Sequence, residues 1–213
     1  MASKPPEPPT IPSSSTPPIS TSTSTSTFTF TSVPSVAAFD VTLDKYLSSP
    51  AAASQGIQLQ GLCVGAFVFN ASGHLLLVQR APTDSYPLRW EVPGGAIDGP
   101  DASLLHGVAR ELYEETGLRA RHIGGLVGEG YTFLTRRPSV VCKFSFLVEV
   151  ESYDVQLDPE EHVAFLWVSE DEARSRKCGG IEMEYTTKQQ ADIILEAFEV
   201  KKTKEAEAVD AAE

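Results

Sequence analysis

The sequence has few basic residues: 17 lysines and arginines stand against 29 aspartates and glutamates, so the formal net charge of the 213-residue chain is −12. A sequence-independent grip on DNA or RNA needs a basic face. The charge balance therefore argues against a nucleic-acid polymer as the partner. It leaves room for a small anionic substrate held by a metal ion and a few local arginines.

Cysteines and long apolar runs are also scarce. The three cysteines, Cys63, Cys142 and Cys178, lie far apart without metal-binding spacing, and an odd number fits no closed disulfide framework. They predict a reducing compartment. The apolar runs are far shorter than the ~20 residues of a membrane span, and no signal-peptide pattern opens the chain. We therefore expect a cytoplasmic protein with no membrane partner.

Composition divides the chain into four segments. Residues 1–27 are mostly Ser, Thr and Pro and predict a disordered low-complexity arm. A mitochondrial transit peptide agrees less well with this arm, which has no arginine. Residues 28–58 predict a packed extension, with a short helix near 40–48, and a connector. Residues 59–200 predict the main domain, and residues 201–213 a charged tail that frays.

The main domain reads as an α/β pattern. The apolar runs 61–70 and 73–81, separated by "ASG", predict a β-hairpin. Residues 88–95 predict a short strand that enters a Pro-Gly-Gly turn, and 140–150 and 162–168 predict two further strands. Helices are predicted at 102–116, directly after Ser169, and at 187–199.

The segment "RELYEETGL" at 110–118 places three glutamates close together. On a helix, Glu111 lies three and four residues before Glu114 and Glu115, so their like charges repel. Leu105, Val108, Ala109 and Leu112 share the apolar arc of this helix, and the glutamates lie at its border. A solvated acidic face is one interpretation. Their position at the rim, where burial makes uncompensated charge costly, instead favours a hard divalent cation with oxygen ligands.

Two neighbouring features support a cation site. Arg110 cannot bind a metal and is predicted to pair with a glutamate and hold it in place. The turn Pro93-Gly94-Gly95 permits a close backbone approach that can direct a main-chain carbonyl toward the cation. A strand, a Gly-Gly turn, a loop and a three-glutamate helix in this order form a far more specific signal than any of them alone.

These residues resemble the Nudix box, G-x5-E-x7-R-E-U-x-E-E-x-G-U, where U is aliphatic. Here the pattern stands as Gly95-x5-Asp101-x8-Arg110-Glu111-Leu112-x-Glu114-Glu115-x-Gly117-Leu118. It departs from the family at Asp101, which replaces a glutamate, and by one added residue before Arg110. The resemblance covers roughly residues 60–175. It implies a Nudix-type α/β/α sandwich around a mixed sheet, and it admits a homodimer, since many relatives are dimers.

The resemblance also implies an activity: hydrolysis of the diphosphate linkage in a nucleoside diphosphate joined to a moiety X. Glu111, Glu114, Glu115 and the Gly94 carbonyl would hold Mg²⁺, with Mn²⁺ as an alternative, and the metal would activate water and phosphoryl group. The alternative function is a catalytically weak Nudix-fold module that binds nucleotides or regulates.

Other site residues are assigned from residue type and position. Glu161 is the first candidate for the general base, with Glu160 and Glu129 as alternatives. The candidates for contact with substrate are Arg80, Arg89, Trp90 and Lys143, together with Arg136, Arg137 and Phe133. The alternative for the basic residues is plain surface charge. For Trp90 and Phe133, core packing is favoured over stacking on a base. His106 and His162 are interpreted as structural.

Overall fold

The computed structural model describes residues 28–53, 56–135 and 138–210, with the side chains of 208–210 excepted. The predicted disordered arm 1–27 therefore lies outside the described residues, as do Arg136 and Arg137. The strands are β1 (Thr31–Ser32), β2 (Gly61–Phe67), β3 (Leu75–Arg80), β4 (Trp90–Glu91), β5 (Ala120–Leu134), β6 (Val140–Val150), β7 (His162–Val168), β8 (Lys177–Cys178) and β9 (Ile181–Glu182). The helices are a 3-10 helix (Pro34–Phe39), α1 (Leu43–Leu47), α2 (Pro50–Ala53), α3 (Leu104–Thr116), α4 (Glu170–Ser175) and α5 (Lys188–Asp210).

Two sheets form the centre of the described part of the chain. The larger sheet is mixed and has the order β1-β5-β6-β2, in which β1 pairs parallel to β5, β5 antiparallel to β6, and β2 parallel to β6. The second sheet, β4-β3-β7, is antiparallel. A hairpin of β8 and β9 stands apart from both. The predicted α/β class with a mixed sheet is confirmed.

Apolar side chains form two clusters, one for each helical layer. The first joins α3 and the segment 28–52 to one face of the larger sheet; the second joins α5 to β3, β4 and neighbouring residues. The predicted apolar arc of α3 is confirmed, since Leu105, Val108, Ala109 and Leu112 are all fully buried. Helices thus cover the sheets from two sides.

Helix α3 is held at both ends. The Ser103 hydroxyl caps its start by accepting a hydrogen bond from the His106 backbone N–H, and Gly117 closes it in the left-handed conformation at φ 70°. The Leu104 backbone N–H donates to the Val41 carbonyl at 3.0 Å, which ties the first turn to the extension. The direction of this helix is therefore fixed on the sheet.

The structure corrects the predicted hairpin. Near the turn the Leu76 N–H donates to the Val68 carbonyl, and Phe69 bridges to Leu75, as a hairpin requires. Beyond the turn the strands separate: β2 pairs with β6 in the larger sheet, and β3 pairs with β4 and β7. Each strand finds a longer partner elsewhere, so the local pairing ends after the turn.

Two further elements differ from prediction. Strand β5 was not predicted, because four glycines interrupt its apolar pattern, and its pairing with β6 is irregular at the same places. Helix α5 continues to Asp210 instead of ending at 199. Lys201 pairs with Glu205 one turn later and Lys202 pairs with Glu170 of α4, which stabilises the extra turns.

Candidate active site

The Pro93-Gly94-Gly95 turn is fixed to β2 by its backbone. The Pro93 and Gly95 carbonyls accept hydrogen bonds from the Ala66 and Val64 N–H groups, each at 2.8 Å. Gly94 has φ 144°, and a Cβ there would lie 2.2 Å from the Val64 carbonyl oxygen. Only glycine fits this position, so the sequence-level expectation of a close backbone approach is confirmed.

The turn meets helix α3 through Glu115. The Gly94 N–H donates to Glu115 Oε2 at 2.7 Å, and Glu115 is 4 % exposed. Glu111, one turn earlier, has a side chain that is 12 % exposed and lies directly beside Gly95. Glu114 is 54 % exposed at the outer edge. Two of the three glutamates therefore face inward at the turn, and the third lies at the rim.

Arg110 forms hydrogen bonds with several acidic side chains at this helix. Its Nη1 donates to Glu111 and to Glu114, at 2.8 Å each. Its Nε and Nη2 donate to the two Asp101 oxygens at 2.9 Å, and Nη2 also donates to the Ala96 carbonyl. The predicted pairing of Arg110 with a glutamate is confirmed. Asp101, the variant acidic position, holds the far side of the guanidinium.

A cavity of about 520 Å³ opens where the turn, α3 and the start of β7 meet. Its lining residues are mostly acidic or small: Arg80, Thr83, Asp84, Gly94, Gly95, Ala96, Glu111, Glu115, Glu160, Glu161 and His162. Arg80 is the one arginine or lysine among these described residues. The acidic side chains of the wall therefore outnumber its basic ones, and part of their negative charge has no positive partner in the wall.

Burial, with a smaller contribution from neighbouring carboxylates, raises the pKa values of the glutamates in the cavity wall. Burial raises the pKa of Glu111 to about 7, against the opposing charge and hydrogen bond of Arg110. Burial also raises the pKa of Glu115 well above its usual range, although the Gly94 N–H opposes this. The pKa of Glu161 is raised by burial and by the nearby Asp158. A cation in the cavity would compensate all three groups.

Glu161 and His162 enter the cavity from the start of β7. Glu115, Glu161 and His162 each offer one ligand atom, and these three atoms lie within 4.8 Å of one another. His162 is 2 % exposed, and neither of its ring nitrogens has a hydrogen-bond partner among the described residues. Burial lowers the pKa of His162, which favours the neutral imidazole. Carboxylate oxygens and a neutral imidazole are donors that divalent cations accept, so the residues fit a metal ion.

The candidate substrate contacts are distributed unevenly. Arg80 lines the cavity, but its guanidinium already binds Glu91, Asp84 and Ser85. Arg89 instead pairs with Glu184 and does not reach the cavity wall.

Trp90 and Lys143 are interior residues. Trp90 is 2 % exposed and packs in the second apolar cluster, so it offers no open face for stacking. Lys143 is buried on β6, opposite Tyr131, and lies outside the cavity lining. Burial lowers the pKa of Lys143, but the charge of Glu91 and other nearby acids outweighs this and raises it.

Three residues of the site were not identified from the sequence. Glu91 is buried and binds Arg80, Asp84 holds the other side of that guanidinium, and His162 faces Glu115. The position of Glu91 between the apolar residues Trp90 and Val92 was a signal for Glu91. The position of His162 directly after Glu160 and Glu161 was a signal for a cluster. Of the alternative bases, Glu160 lines the cavity, and Glu129 is exposed on β5 away from it.

The fold and cavity define an α/β protein with an acidic site suited to a divalent cation, and comparison with known proteins identifies the family. The family model of the NUDIX domain matches residues 59–190. A MutT-like protein of Streptomyces ambofaciens is 34 % identical over 134 residues, which are 62 % of this chain and 77 % of that protein. The MutT protein from Methanosarcina mazei Go1 has a solved structure with a TM-score of 0.53 at 30 % identity, covering 67 % of this chain and 94 % of that one.

A shorter match is an RNA pyrophosphohydrolase of Rhizobium meliloti (strain 1021), 44 % identical over 64 residues. This match covers 27 % of the chain and 37 % of the relative, so the chain spans little more than a third of that protein.

The chain belongs to the NUDIX domain family. The resemblance and the Nudix-type fold class predicted from the box are therefore confirmed. Members of this family generally use divalent metals, in agreement with the acidic cluster. In the part of the chain that the structure describes, no helix has both the length and the apolar character needed to cross a membrane.

Proposed function

We propose that the protein is a Mg²⁺-dependent pyrophosphohydrolase that cleaves the diphosphate linkage of a nucleoside diphosphate joined to a moiety X. One observation carries this proposal: Glu111, Glu115, Glu161 and the Gly94-Gly95 turn converge on a single cavity of about 520 Å³. The family membership and the pyrophosphohydrolase name of a relative support it.

Glu111, Glu114, Glu115 and the Gly94 carbonyl would hold the metal. Bound there, Mg²⁺ or Mn²⁺ would polarise the phosphoryl group, neutralise phosphate charge and lower the pKa of water. Glu111 and Glu115 fit this role because they lie inside the cavity. Glu114 is at the rim, within reach of Arg110. Arg110 positions the box glutamates through its hydrogen bonds to Glu111 and Glu114.

Glu161 is the proposed general base. Its carboxylate lies near Glu115 and is exposed to the cavity, so it is placed to accept a proton from an attacking water. Arg80 keeps Glu91 and the 84–85 loop in place, and its position in the wall allows contact with an outer phosphate.

The acidic lining of the cavity and the net charge of the chain support a small nucleotide, bound together with a cation, as the substrate. The lining is acidic, so a phosphate group binds only together with the cation that compensates the carboxylates. A small nucleotide agrees with the net charge of −12 better than a long nucleic-acid chain does. The matched RNA pyrophosphohydrolase makes a 5′-triphosphorylated oligonucleotide a necessary comparison substrate.

The test is a substrate panel read by product mass. Nucleoside triphosphates, oxidised dNTPs, nucleotide sugars, dinucleoside polyphosphates, ADP-ribose and a 5′-triphosphorylated RNA are incubated with Mg²⁺ or with EDTA. We expect two phosphate-containing products from at least one member, with Mg²⁺ only. Stabilisation against heat by a nucleotide without any turnover would support the binding-module alternative.

Two further expectations belong to this proposal. A homodimer is tested by sedimentation equilibrium of the full chain, and a single monomeric mass at micromolar concentration contradicts it. A cytoplasmic location is tested by imaging a C-terminally tagged chain, and import into mitochondria contradicts it.

A further inference from the structure

His162 has an imidazole ring without a partner. The residue is 2 % exposed, and neither Nδ1 nor Nε2 forms a hydrogen bond within the described residues. A buried polar group left without a partner costs free energy, so such groups are rare unless a ligand or water occupies the site.

The ring belongs to the wall of the cavity. His162 lines it together with Glu115 and Glu161, and one donor atom from each lies within 4.8 Å of the other two. The backbone of His162 is already engaged, since its N–H donates to the Asp158 carbonyl at 2.8 Å. His162 also pairs with Arg80 at the irregular end of the β3–β7 ladder. The ring is therefore held in place while its nitrogens remain available to a ligand.

We propose that His162 supplies an imidazole nitrogen to a metal site with Glu115 and Glu161, and that this site selects first-row transition-metal dications over Mg²⁺. The inference concerns the same cavity as the proposed function but does not depend on turnover. With Mg²⁺ bound at Glu111 and Glu115, Glu161 stays free to act as the base; with a transition-metal dication bound at Glu115 and His162, Glu161 becomes a ligand instead. It adds a nitrogen donor to a site otherwise built from oxygen donors.

The selectivity follows from donor chemistry. Mg²⁺ takes oxygen ligands almost exclusively and keeps several waters. Imidazole is a good ligand for first-row dications such as Ni²⁺ and Zn²⁺, and the affinity of such sites rises from Mn²⁺ through Co²⁺ and Ni²⁺ to Cu²⁺ and falls again at Zn²⁺. Two carboxylates and one imidazole therefore favour such ions, whereas the oxygen donors around Glu111 suit Mg²⁺.

The test compares His162→Gln with His122→Gln in metal-free full-length protein. His122, on β5, is hydrogen-bonded to Thr31 of β1 and lies outside the cavity. Titration calorimetry with Co²⁺ and separately with Mg²⁺ gives the affinity ratio, without nucleotide. In His162→Gln we expect Co²⁺ affinity to fall by at least about tenfold, the lower end of what even an outer partner of a metal ligand contributes. Mg²⁺ affinity stays within the error of the wild-type value, and His122→Gln keeps both affinities.

A second measurement does not need the His162 variant to fold. The chain has four histidines, so a two-bond ¹H–¹⁵N spectrum of the wild-type protein shows four rings. Substitution of His74, His106 and His122 one at a time assigns the fourth ring to His162. One equivalent of Zn²⁺ should shift a ring nitrogen of His162 to the position of a coordinated imidazole.

Specific outcomes overturn the inference. An unmoved His162 ring at saturating Zn²⁺ does so, as does an unchanged Co²⁺ affinity in folded His162→Gln. Absence of nucleotide hydrolysis with metal selectivity intact would instead refute the proposed function and leave this inference standing.

Discussion

Replacement of Gly95 by alanine tests whether the position of the Glu111 carboxylate controls the site. An alanine Cβ would lie 2.5 Å from Glu111 Oε2 and 2.8 Å from its Cδ, whereas ordinary contact begins at 3.4 Å. The carboxylate must therefore move by at least 0.5 Å, from 2.5 to 3.0 Å, and by 0.9 Å to reach ordinary contact at 3.4 Å. The Gly95 backbone does not need a left-handed φ, so alanine brings no strain of its own.

The displacement opposes a hydrogen bond that fixes Glu111. Arg110 Nη1 donates to Glu111 Oε1 at 2.8 Å, and the same guanidinium binds Asp101 and Glu114, so the carboxylate cannot move without disturbing this set. A misplacement of about 1 Å at a reacting centre costs roughly 100-fold in rate, or about 2.7 kcal/mol of transition-state stabilisation.

The assay is kcat/KM on the best substrate of the panel at saturating Mg²⁺, together with Mg²⁺ affinity by calorimetry. Gly99→Ala is the matched control, because its Cβ meets no atom within 4 Å. We expect the roughly 100-fold loss in Gly95→Ala alone, with a far-UV spectrum like wild type. Wild-type kinetics in folded Gly95→Ala would refute the assigned role of Glu111.

Three other predictions follow from the same site. Arg110→Lys keeps the charge but not the fork of donors that reaches Asp101, Glu111 and Glu114, so Mg²⁺ affinity should fall roughly 10–100-fold; calorimetry checks this, and unchanged affinity contradicts it. In EDTA, the pKa of Glu111 is about 7 when folded against 4.5 for an ordinary glutamate. The folded state then binds more protons between these values, so the free energy of unfolding should fall as pH rises from about 5 to 7. Urea titrations at several pH values measure this, and a free energy that rises with pH over that range is the contrary result. A chain that begins at residue 28 should hydrolyse the panel substrate at the wild-type rate, because the site lies wholly within residues 80–162; a marked loss would give the arm a catalytic role.

Periodicity and capping residues predicted the elements that form from contacts between residues close in sequence. The α3 helix, its cap region and its buried arc follow from helical periodicity, and the strands at 140–150 and 162–168 agree with prediction at both ends. Strand β5 was missed because its glycines weaken the strand pattern, and its pairing with β6 and β1 stabilises it instead. The predicted hairpin was longer than the observed one, because the sequence does not show that β2 and β3 pair with other strands in different sheets.

In the site, too, the residues that are close in sequence were predicted together, and those brought together by the fold were not. Arg110, Glu111, Glu114 and Glu115 share one helix, so their proximity is readable from spacing. His162 meets Glu115 only because β7 pairs with β3 beside the turn, and no local pattern encodes that meeting. Arg89 and Trp90 were assigned by residue type, and the fold directs them to Glu184 and to the core.

The most direct test of the proposed chemistry is turnover by Glu115→Gln. Glu115 is buried, receives the Gly94 N–H and lies next to both Glu161 and His162, so the amide keeps the shape but removes a charge from the centre of the site. Glu129→Gln, on the exposed side of β5, is the control. We predict that Mg²⁺-dependent kcat falls by orders of magnitude in Glu115→Gln and is unchanged in Glu129→Gln. Near-wild-type turnover by a folded Glu115→Gln protein would contradict a metal-dependent pyrophosphohydrolase built on this cavity.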